Sequence, residues 1–168
     1  GDDATCAAAP VSSLDQRGVA RPQGAHCDIG AYEETLVQTG PSFVVNNSTD
    51  TDDGVCYSAP SGDCTLREAL NAANAHPGAD TISFAAGLSG QTIPLGATLT
   101  IASDVTIDGE GYRITLSGQN TVSVLAVNSG VTAVLQGLTI VNGSAVNAGG
   151  IYNGGVLTVD DSTLSGSS

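Results

Sequence analysis

The stretch Leu135-Gln-Gly-Leu-Thr-Ile140 is followed 24 residues later by Val159-Asp-Asp-Ser-Thr-Leu164, with aliphatic residues at both ends of a short polar turn. A second similarity relates Val105-Thr-Ile-Asp-Gly109 to Leu138-Thr-Ile-Val-Asn-Gly143, which are separated by about one and a half of these 24-residue offsets. Self-similarity with a period in the twenties, and several short strands in each period, is typical of one turn of a parallel β-helix.

Short runs of β-branched and aliphatic residues fill the chain from Asp80 onwards, separated mostly by Gly, Asn, Asp or Ser. The predicted strands are residues 81–84, 91–95, 98–101, 105–107, 113–116, 122–127, 131–135, 138–141, 156–159 and 163–164. Alternation in Thr98-Leu-Thr-Ile101 gives such a strand one inward and one outward face. An antiparallel sandwich is the alternative, but few Asn-Gly or Asp-Gly pairs stand at hairpin positions. We therefore predict an all-β fold, a right-handed parallel β-helix.

Composition limits both the core and the partners. The 168 residues are 40% hydrophobic but only 4% aromatic, with no Trp or Met, so Val, Ile, Leu and Ala must fill the core. Seventeen acidic residues against four basic ones give a net charge of −13. Such a chain is repelled by nucleic acid and by anionic membranes. No run approaches the roughly 20 apolar residues of a membrane span.

One amphipathic helix is predicted at about residues 66–75. Thr65 is its N-cap, and Glu68 three positions later completes a capping box. The apolar stripe at helical spacing consists of Leu66, Ala69, Leu70 and Ala73. Pro77-Gly78 ends the helix. A short strand is predicted before it, at residues 42–46.

The four cysteines, Cys6, Cys27, Cys56 and Cys64, indicate disulfides formed in an oxidising compartment. Of the three possible connectivities we favour Cys6–Cys27 with Cys56–Cys64, because each pair lies in its own segment. Reduced cysteines buried as small apolar residues are the alternative. The sequence has neither a signal peptide nor an initiator Met, so we expect a processed or internal portion of a longer secreted or cell-surface precursor.

Two segments resemble families of bacterial surface proteins. Asp53-Gly-Val-Cys56 with Gly62-Asp-Cys-Thr-Leu-Arg-Glu-Ala-Leu-Asn71 is similar to the CSLREA domain, with Thr65 where the family name has Ser. This resemblance covers residues 43 to about 87 and implies the N-terminal cap of a secreted β-helix. Residues 81–168 are similar to pectate-lyase-like β-helices in coil pattern alone.

The second segment is Leu14-Asp-Gln-Arg-Gly-Val-Ala-Arg-Pro22 with Cys27-Asp-Ile-Gly-Ala-Tyr-Glu33. It resembles the choice-of-anchor Q domain, which implies closure of the C-terminal end of a β-helix. The predicted organisation is a closing segment at 1–33, a linker at 34–42, a cap at 43–80 and coils at 81–168. Since an ending motif precedes a starting motif, we expect either a window across a tandem array or a subunit that stacks head to tail with copies of itself.

Candidate catalytic residues are few. Asp104, Asp108, Asp160 and Asp161 are candidates for the calcium cluster of a polysaccharide lyase, but solvated turn residues are the simpler interpretation. The polygalacturonase signatures are missing, and His26 and His76 both adjoin structural residues. We predict no catalytic residue and no enzymatic activity.

Two further groups of polar residues suggest structural roles. Asp50, Asp52 and Asp53 before Gly54 resemble a calcium loop, although the register does not fit an EF-hand. Calcium is thus the one cofactor suggested, with a plain acidic turn as the default. The second group, predicted to form ion pairs within the closing segment, consists of Arg17, Arg21, Asp15, Asp28 and Glu33.

The sequence therefore predicts a secreted structural or adhesive protein. The alternatives are a carbohydrate-binding surface module that recognises surface glycans, and a degenerate polysaccharide lyase. Aromatic platforms for sugars are scarce, since Tyr112 and Tyr152 are the candidates within the coils.

Overall fold

The computed structural model describes residues 36–59 and 62–168, which form twelve short strands, one α-helix and one 3-10 turn. The strands are β1 Ser42–Val45, β2 Asp80–Phe84, β3 Thr92–Pro94, β4 Leu99–Ile101, β5 Val105–Asp108, β6 Ile114–Ser117, β7 Leu125–Val127, β8 Thr132–Gln136, β9 Leu138–Val141, β10 Ile151–Asn153, β11 Val156–Asp160 and β12 Thr163–Ser165. Helix α1 spans Leu66–Ala75, and the 3-10 turn spans Ala86–Leu88.

All strand pairs between these elements are parallel, and they form three sheets. Sheet 1 has the order β1-β2-β5-β8-β11, sheet 2 the order β3-β6-β9-β12 and sheet 3 the order β4-β7-β10. From β2 onwards the chain visits the three sheets in turn, so each circuit adds one strand to each sheet. This is a right-handed parallel β-helix of about three complete turns, as predicted.

The repeat found in the sequence is the coil repeat of the structure. Leu135 in β8 is paired with Val159 in β11, and Ile140 in β9 is paired with Leu164 in β12. Both pairs are 24 residues apart, which is the offset between the two similar stretches.

The core consists of columns of aliphatic side chains, one residue per coil, stacked at the roughly 4.8 Å spacing of paired strands. The fully buried members of these columns include Ile82, Ile107 and Leu135 in sheet 1, Ile93, Leu116 and Ile140 in sheet 2, and Leu99 and Leu125 in sheet 3. Phe43 of β1 lies in register with Ile82 and begins the sheet 1 column. Alternate residues face outward and are largely Thr, Ser and Asp. Inward aliphatic columns explain how a chain so poor in aromatics fills a core.

Sharp corners between sheets 1 and 2 demand special backbone conformations. Gly137 alone separates β8 from β9, with φ at +62°. A Cβ atom there would lie 2.7 Å from the backbone of Glu110 in the preceding coil. Only glycine fits this combination of positive φ and close approach.

Two strand predictions in the coils were inaccurate. Strand β7 begins at Leu125 and not at residue 122, because Val122 donates its N–H to Gly118 O in a turn. Strand β10 was missed, since its three residues lie between two Gly-Gly pairs that are typical of turns. Sheet 1 also starts earlier than the predicted coils, because β1 pairs with β2.

Truncating a stacked core residue should cost far more stability than truncating its register partner at the end of the column. Ile140 is fully buried, whereas Leu164 is 48% exposed. We expect Ile140→Ala to lower the free energy of unfolding by about 2–5 kcal/mol. Leu164→Ala should cost roughly 1 kcal/mol or less. Urea unfolding monitored by circular dichroism measures both, and equal losses would contradict the stacked-column description.

Candidate functional site: a sealed head and an open rim

The two ends of the β-helix are built differently. We call β1, α1 and the loops around them (residues 36–59 and 62–79) the head. We call β10, β11 and β12, the last strand of each sheet among the described residues, the rim.

Helix α1 begins with the predicted capping box. The Glu68 N–H donates to Thr65 Oγ1 at 3.2 Å, and the Thr65 N–H donates to Glu68 Oε2 at 2.8 Å. Glu68 is buried, and its Oε1 accepts the Asp53 N–H at 3.1 Å. The Glu68 carboxylate therefore accepts a hydrogen bond from the backbone at the start of α1 and another from the acidic loop that precedes the helix.

The apolar stripe of α1 covers the end of the core. Leu66, Ala69, Leu70 and Ala73 are buried, and the helix contacts β1, β2 and β4. Their burial keeps water from the first aliphatic layer, where a bare β-helix end would expose apolar side chains.

Cys56 and Cys64 form a disulfide, as predicted, and both are buried. The carbonyl of Cys56 accepts the Gln38 N–H, and the carbonyl of Cys64 accepts the Asn46 N–H, each at 2.9 Å. The cross-linked loop thus holds the segments on both sides of β1.

The outer edge of β1 is occupied by a side-chain amide. Pro41 O and Val45 O accept N–H groups from the β2 side, so the peptide groups of Val44 point the other way. There the Val44 N–H donates to Gln38 Oε1 at 2.7 Å, and Gln38 Nε2 donates to Val44 O at 2.9 Å. The primary amide thus uses both groups of Val44 with which a further strand would pair.

Sheet 3 ends in the same way. Leu99 and Ile101 bond towards β7, which leaves the peptide groups of Thr100 and Ala102 facing the head. Asn74 on α1 donates from Nδ2 to Thr100 O at 2.9 Å and accepts the Ala102 N–H on Oδ1 at 2.8 Å. A second amide therefore occupies the edge of β4.

Sheet 2 is protected by a proline. Gln91 O and Leu95 N–H bond towards β6, so Thr92 and Pro94 face away from it. Pro94 has no N–H to offer to a further strand. Each of the three sheets thus carries an edge-blocking feature at the head.

The rim has no comparable feature among residues 36–59 and 62–168. Val156 N–H and Asp160 O bond to the β8 side, so the peptide groups of Leu157 and Val159 point off the edge. Val159 is 41% exposed, although its register partner Leu135 is fully buried. A further coil of a β-helix would pair with these peptide groups and cover these side chains.

In the predicted calcium loop, the carboxylates form an ion pair and hydrogen bonds within the protein. Asp50 forms a bidentate ion pair with Arg67, at 2.9 and 2.8 Å, and also accepts the Gly96 N–H. Asp52 accepts the Gly54 N–H, and Asp53 accepts the Val55 N–H. The Asp50 pair connects the head to the turn between β3 and β4.

The four aspartates of the coils are not brought together either. Asp104 accepts the Thr132 N–H at the start of β8 and so joins two coils, whereas Asp108 accepts the Glu110 N–H and stabilises its own turn. Asp108 and Asp160 face outward from β5 and β11, two strand spacings apart, or about 10 Å. In the part of the chain that the structure describes, no three His, Cys, Asp or Glu residues lie close enough to hold a metal ion.

His76 follows α1 and contacts a buried carboxylate. Its Nδ1 lies 2.8 Å from Asp80 Oδ1, but the two atoms lack the alignment of a hydrogen bond. The imidazole also packs against Gly40, where a Cβ atom would come within 2.9 Å of the ring. This histidine therefore fastens the end of the helix to the start of the coils.

A shallow cleft of about 250 Å³ lies on the outer face of sheet 3. It is lined by Thr98, Ser123, Ala126, residues 145–148 and Tyr152, none of which is charged. Tyr152 is 53% exposed, whereas Tyr112 is half-buried against the core.

Some predicted residues lie outside the described part of the chain. They are Cys6, Cys27, Arg17, Arg21, Asp15, Asp28 and Glu33. The sequence reasoning missed the edge-blocking residues. Pro94 inside a strand pattern was a usable signal for an edge strand. For Gln38 and Asn74 the sequence offered no signal, because no local pattern distinguishes an amide that will bind a strand edge from any other surface amide.

No protein-family model, curated protein or solved structure matches this chain. The described residues include no helix that is long and apolar enough to cross a membrane.

The stability contributed by the capping box can be assigned to the Thr65 hydroxyl, as distinct from its methyl group, with two substitutions. We expect Thr65→Ala to lower the free energy of unfolding by about 1 kcal/mol, because Glu68 N–H loses its acceptor. Thr65→Ser keeps the hydroxyl and should cost much less. Urea unfolding measures the difference, and a Ser variant as unstable as the Ala variant would contradict it.

Proposed function

We propose that this chain is a secreted or cell-surface protein with a structural or adhesive role and without catalytic activity. The observation that carries the proposal is the parallel β-helix itself, closed at its head by α1 and the Cys56–Cys64 loop. A β-helix of this kind is suited to contact with a neighbour along its axis. The resemblance to CSLREA and choice-of-anchor Q proteins points the same way.

The proposed location is supported by two features. The Cys56–Cys64 disulfide suits an oxidising compartment. The net charge of −13 keeps a protein with an exposed strand edge soluble. Both are typical of extracellular β-rich proteins.

The absence of catalysis is proposed from how the acidic residues are used. Asp50 pairs with Arg67, and Glu68 caps a helix. Asp104 joins two coils through the Thr132 N–H, and Asp108 stabilises its own turn. Of the four aspartates that lyase chemistry would require to converge, Asp104 and Asp108 are thus committed to structural hydrogen bonds.

The neighbour at the rim is proposed to be a second copy, or the adjoining unit of a tandem array. Residues 1–33, which resemble a closing segment, would cover the rim of that neighbour. Val159 and Leu164, about half exposed, supply the apolar surface for the contact. A repeated contact of one kind of end with another propagates into a fibre.

Association should depend on the apolar rim. We expect the purified chain to form end-to-end assemblies as its concentration rises, visible by negative-stain electron microscopy and sedimentation velocity. Val159→Glu should shift it to monomers, because a charge would be buried at the contact. Val146→Glu, at a fully exposed residue in the loop between β9 and β10, is the matched control. Non-reducing mass spectrometry should find two intrachain disulfides.

A chain that stays monomeric on concentration would rule out the fibre and leave a unit of a tandem array. Equal behaviour of the two Glu variants would mean that the rim does not make the contact.

A carbohydrate-binding module is the second candidate, favoured by the cleft beside Tyr152. An exposed aromatic ring, hydroxyl groups and an uncharged lining suit a neutral sugar. A glycan array would test it, and signals that survive Tyr152→Ala would count against this cleft.

A further inference from the structure

One outward position of sheet 2 is a threonine in every coil. The register pairs Thr92 with Thr115, Thr115 with Thr139, and Thr139 with Thr163. We call these four residues the threonine row. Thr92 and Thr163 are exposed, and Thr115 and Thr139 are half-buried between their neighbours. The row therefore presents hydroxyl and methyl groups to solvent on the outer face of the β-helix.

The other two sheets do not repeat a residue in this way. In sheet 1 the outward row that contains Thr106 and Thr158 is interrupted by Val134. In sheet 3 the corresponding outward residues are Thr100, Ala126 and Tyr152. Because strand propensity favours threonine in all three sheets alike, propensity alone does not explain an unbroken row in sheet 2.

The threonine row has a regular spacing and little freedom. Successive members are separated by the roughly 4.8 Å between paired strands. Behind them Ile93, Leu116 and Ile140 are fully buried, so the strands rest on a packed core. Threonine is also stiff at χ1, which restricts its hydroxyl and methyl groups. The row is thus organised before any ligand binds, and binding costs little conformational entropy.

The strands of sheet 2 contain no charged residue, although the chain has 17 acidic residues and a net charge of −13. Arg113 and Asp161 precede β6 and β12 at the corners of the coils, outside the strands. Beside the threonine row, the second outward position is occupied by Pro94, Ser117, Val141 and Ser165. Sheet 1, in contrast, has Asp108 and Asp160 on its outer face. The face of sheet 2 therefore suits an uncharged ligand.

These features together describe a ligand that is uncharged, rigid and periodic. We propose that the ligand is ice, bound on the outer face of sheet 2 by the threonine row. Each threonine hydroxyl can donate and accept hydrogen bonds, as each water molecule of ice does. Water molecules on a face of an ice crystal repeat at a spacing close to that of the coils. Successive hydroxyls can therefore contact successive positions of the crystal.

The number of threonines in register explains a preference for ice over liquid water. A single hydroxyl gains little from the crystal, because it exchanges one water partner for another. Four hydroxyls in register gain more, since one orientation of the crystal satisfies all of them at once. The inference goes beyond the proposed function, because neither contact along the axis nor the cleft beside Tyr152 uses this face.

Slow freezing of the full chain onto a cold probe tests for ice binding. A protein without affinity for ice stays in the liquid, whereas we expect this chain to be enriched in the ice. In a nanolitre osmometer it should also separate the freezing temperature of a single ice crystal from its melting temperature. A chain that is excluded from ice and produces no such temperature gap would overturn the proposal.

A bulky residue in the middle of the threonine row should abolish the binding. Thr139→Tyr raises a ring above the neighbouring hydroxyls, and we expect loss of both the enrichment and the temperature gap. Thr106→Tyr is the matched control, because Thr106 is also a half-buried outward residue between two buried aliphatic residues. It should bind ice like the unmodified chain. Equal loss in the two variants would overturn the assignment to sheet 2.

Circular dichroism shows whether Thr139→Tyr keeps the β-helix. Should that variant unfold, Thr163→Tyr alters an exposed member of the same row and should also reduce the temperature gap. A folded Thr163→Tyr variant with an undiminished gap would then count against the row.

Two further measurements separate ice binding from other roles. Retention on microcrystalline cellulose, together with exclusion from ice, would assign the row to a solid carbohydrate and overturn the proposal. Freezing is carried out at a concentration where sedimentation velocity finds monomers, so the result does not depend on the proposed fibre.

Discussion

The backbone hydrogen-bond ladder between parallel coils is the interaction on which this structure depends. Each coil satisfies the peptide groups of the one before it, and each aliphatic residue lies on its predecessor. Such a ladder does not terminate by itself, because every added coil creates a new unpaired edge and a new apolar layer. The head solves both problems, with α1 over the apolar layer and side-chain amides on the edges.

The repeat and the capping box were accessible from the sequence, because both depend on local spacing. Leu135 and Val159 mark the coil period, and Thr65 with Glu68 marks the start of α1. Strand β10 could not be predicted from the sequence, since three residues between glycines are too few to show an alternating pattern. The contacts of Gln38 and Asn74 join residues that only the coil path brings together, so no local signal marks them.

The acidic residues show why composition alone is a weak guide to sites. Asp50, Asp52 and Asp53 resemble a calcium loop in composition, yet Asp50 pairs with Arg67 and accepts the Gly96 N–H from the turn between β3 and β4. The two others bond to their own turn. Arg67, seventeen positions away in sequence, reaches Asp50 because the fold places α1 beside this loop.

The most direct test of a head closed by side-chain amides is residue-resolved hydrogen exchange of the dilute chain by NMR. We predict slow exchange of the Val44 and Ala102 amides, which donate to Gln38 and Asn74, and fast exchange of the Leu157 and Val159 amides at the rim. Fast exchange at Val44 and Ala102, matching that of the rim, would contradict the account.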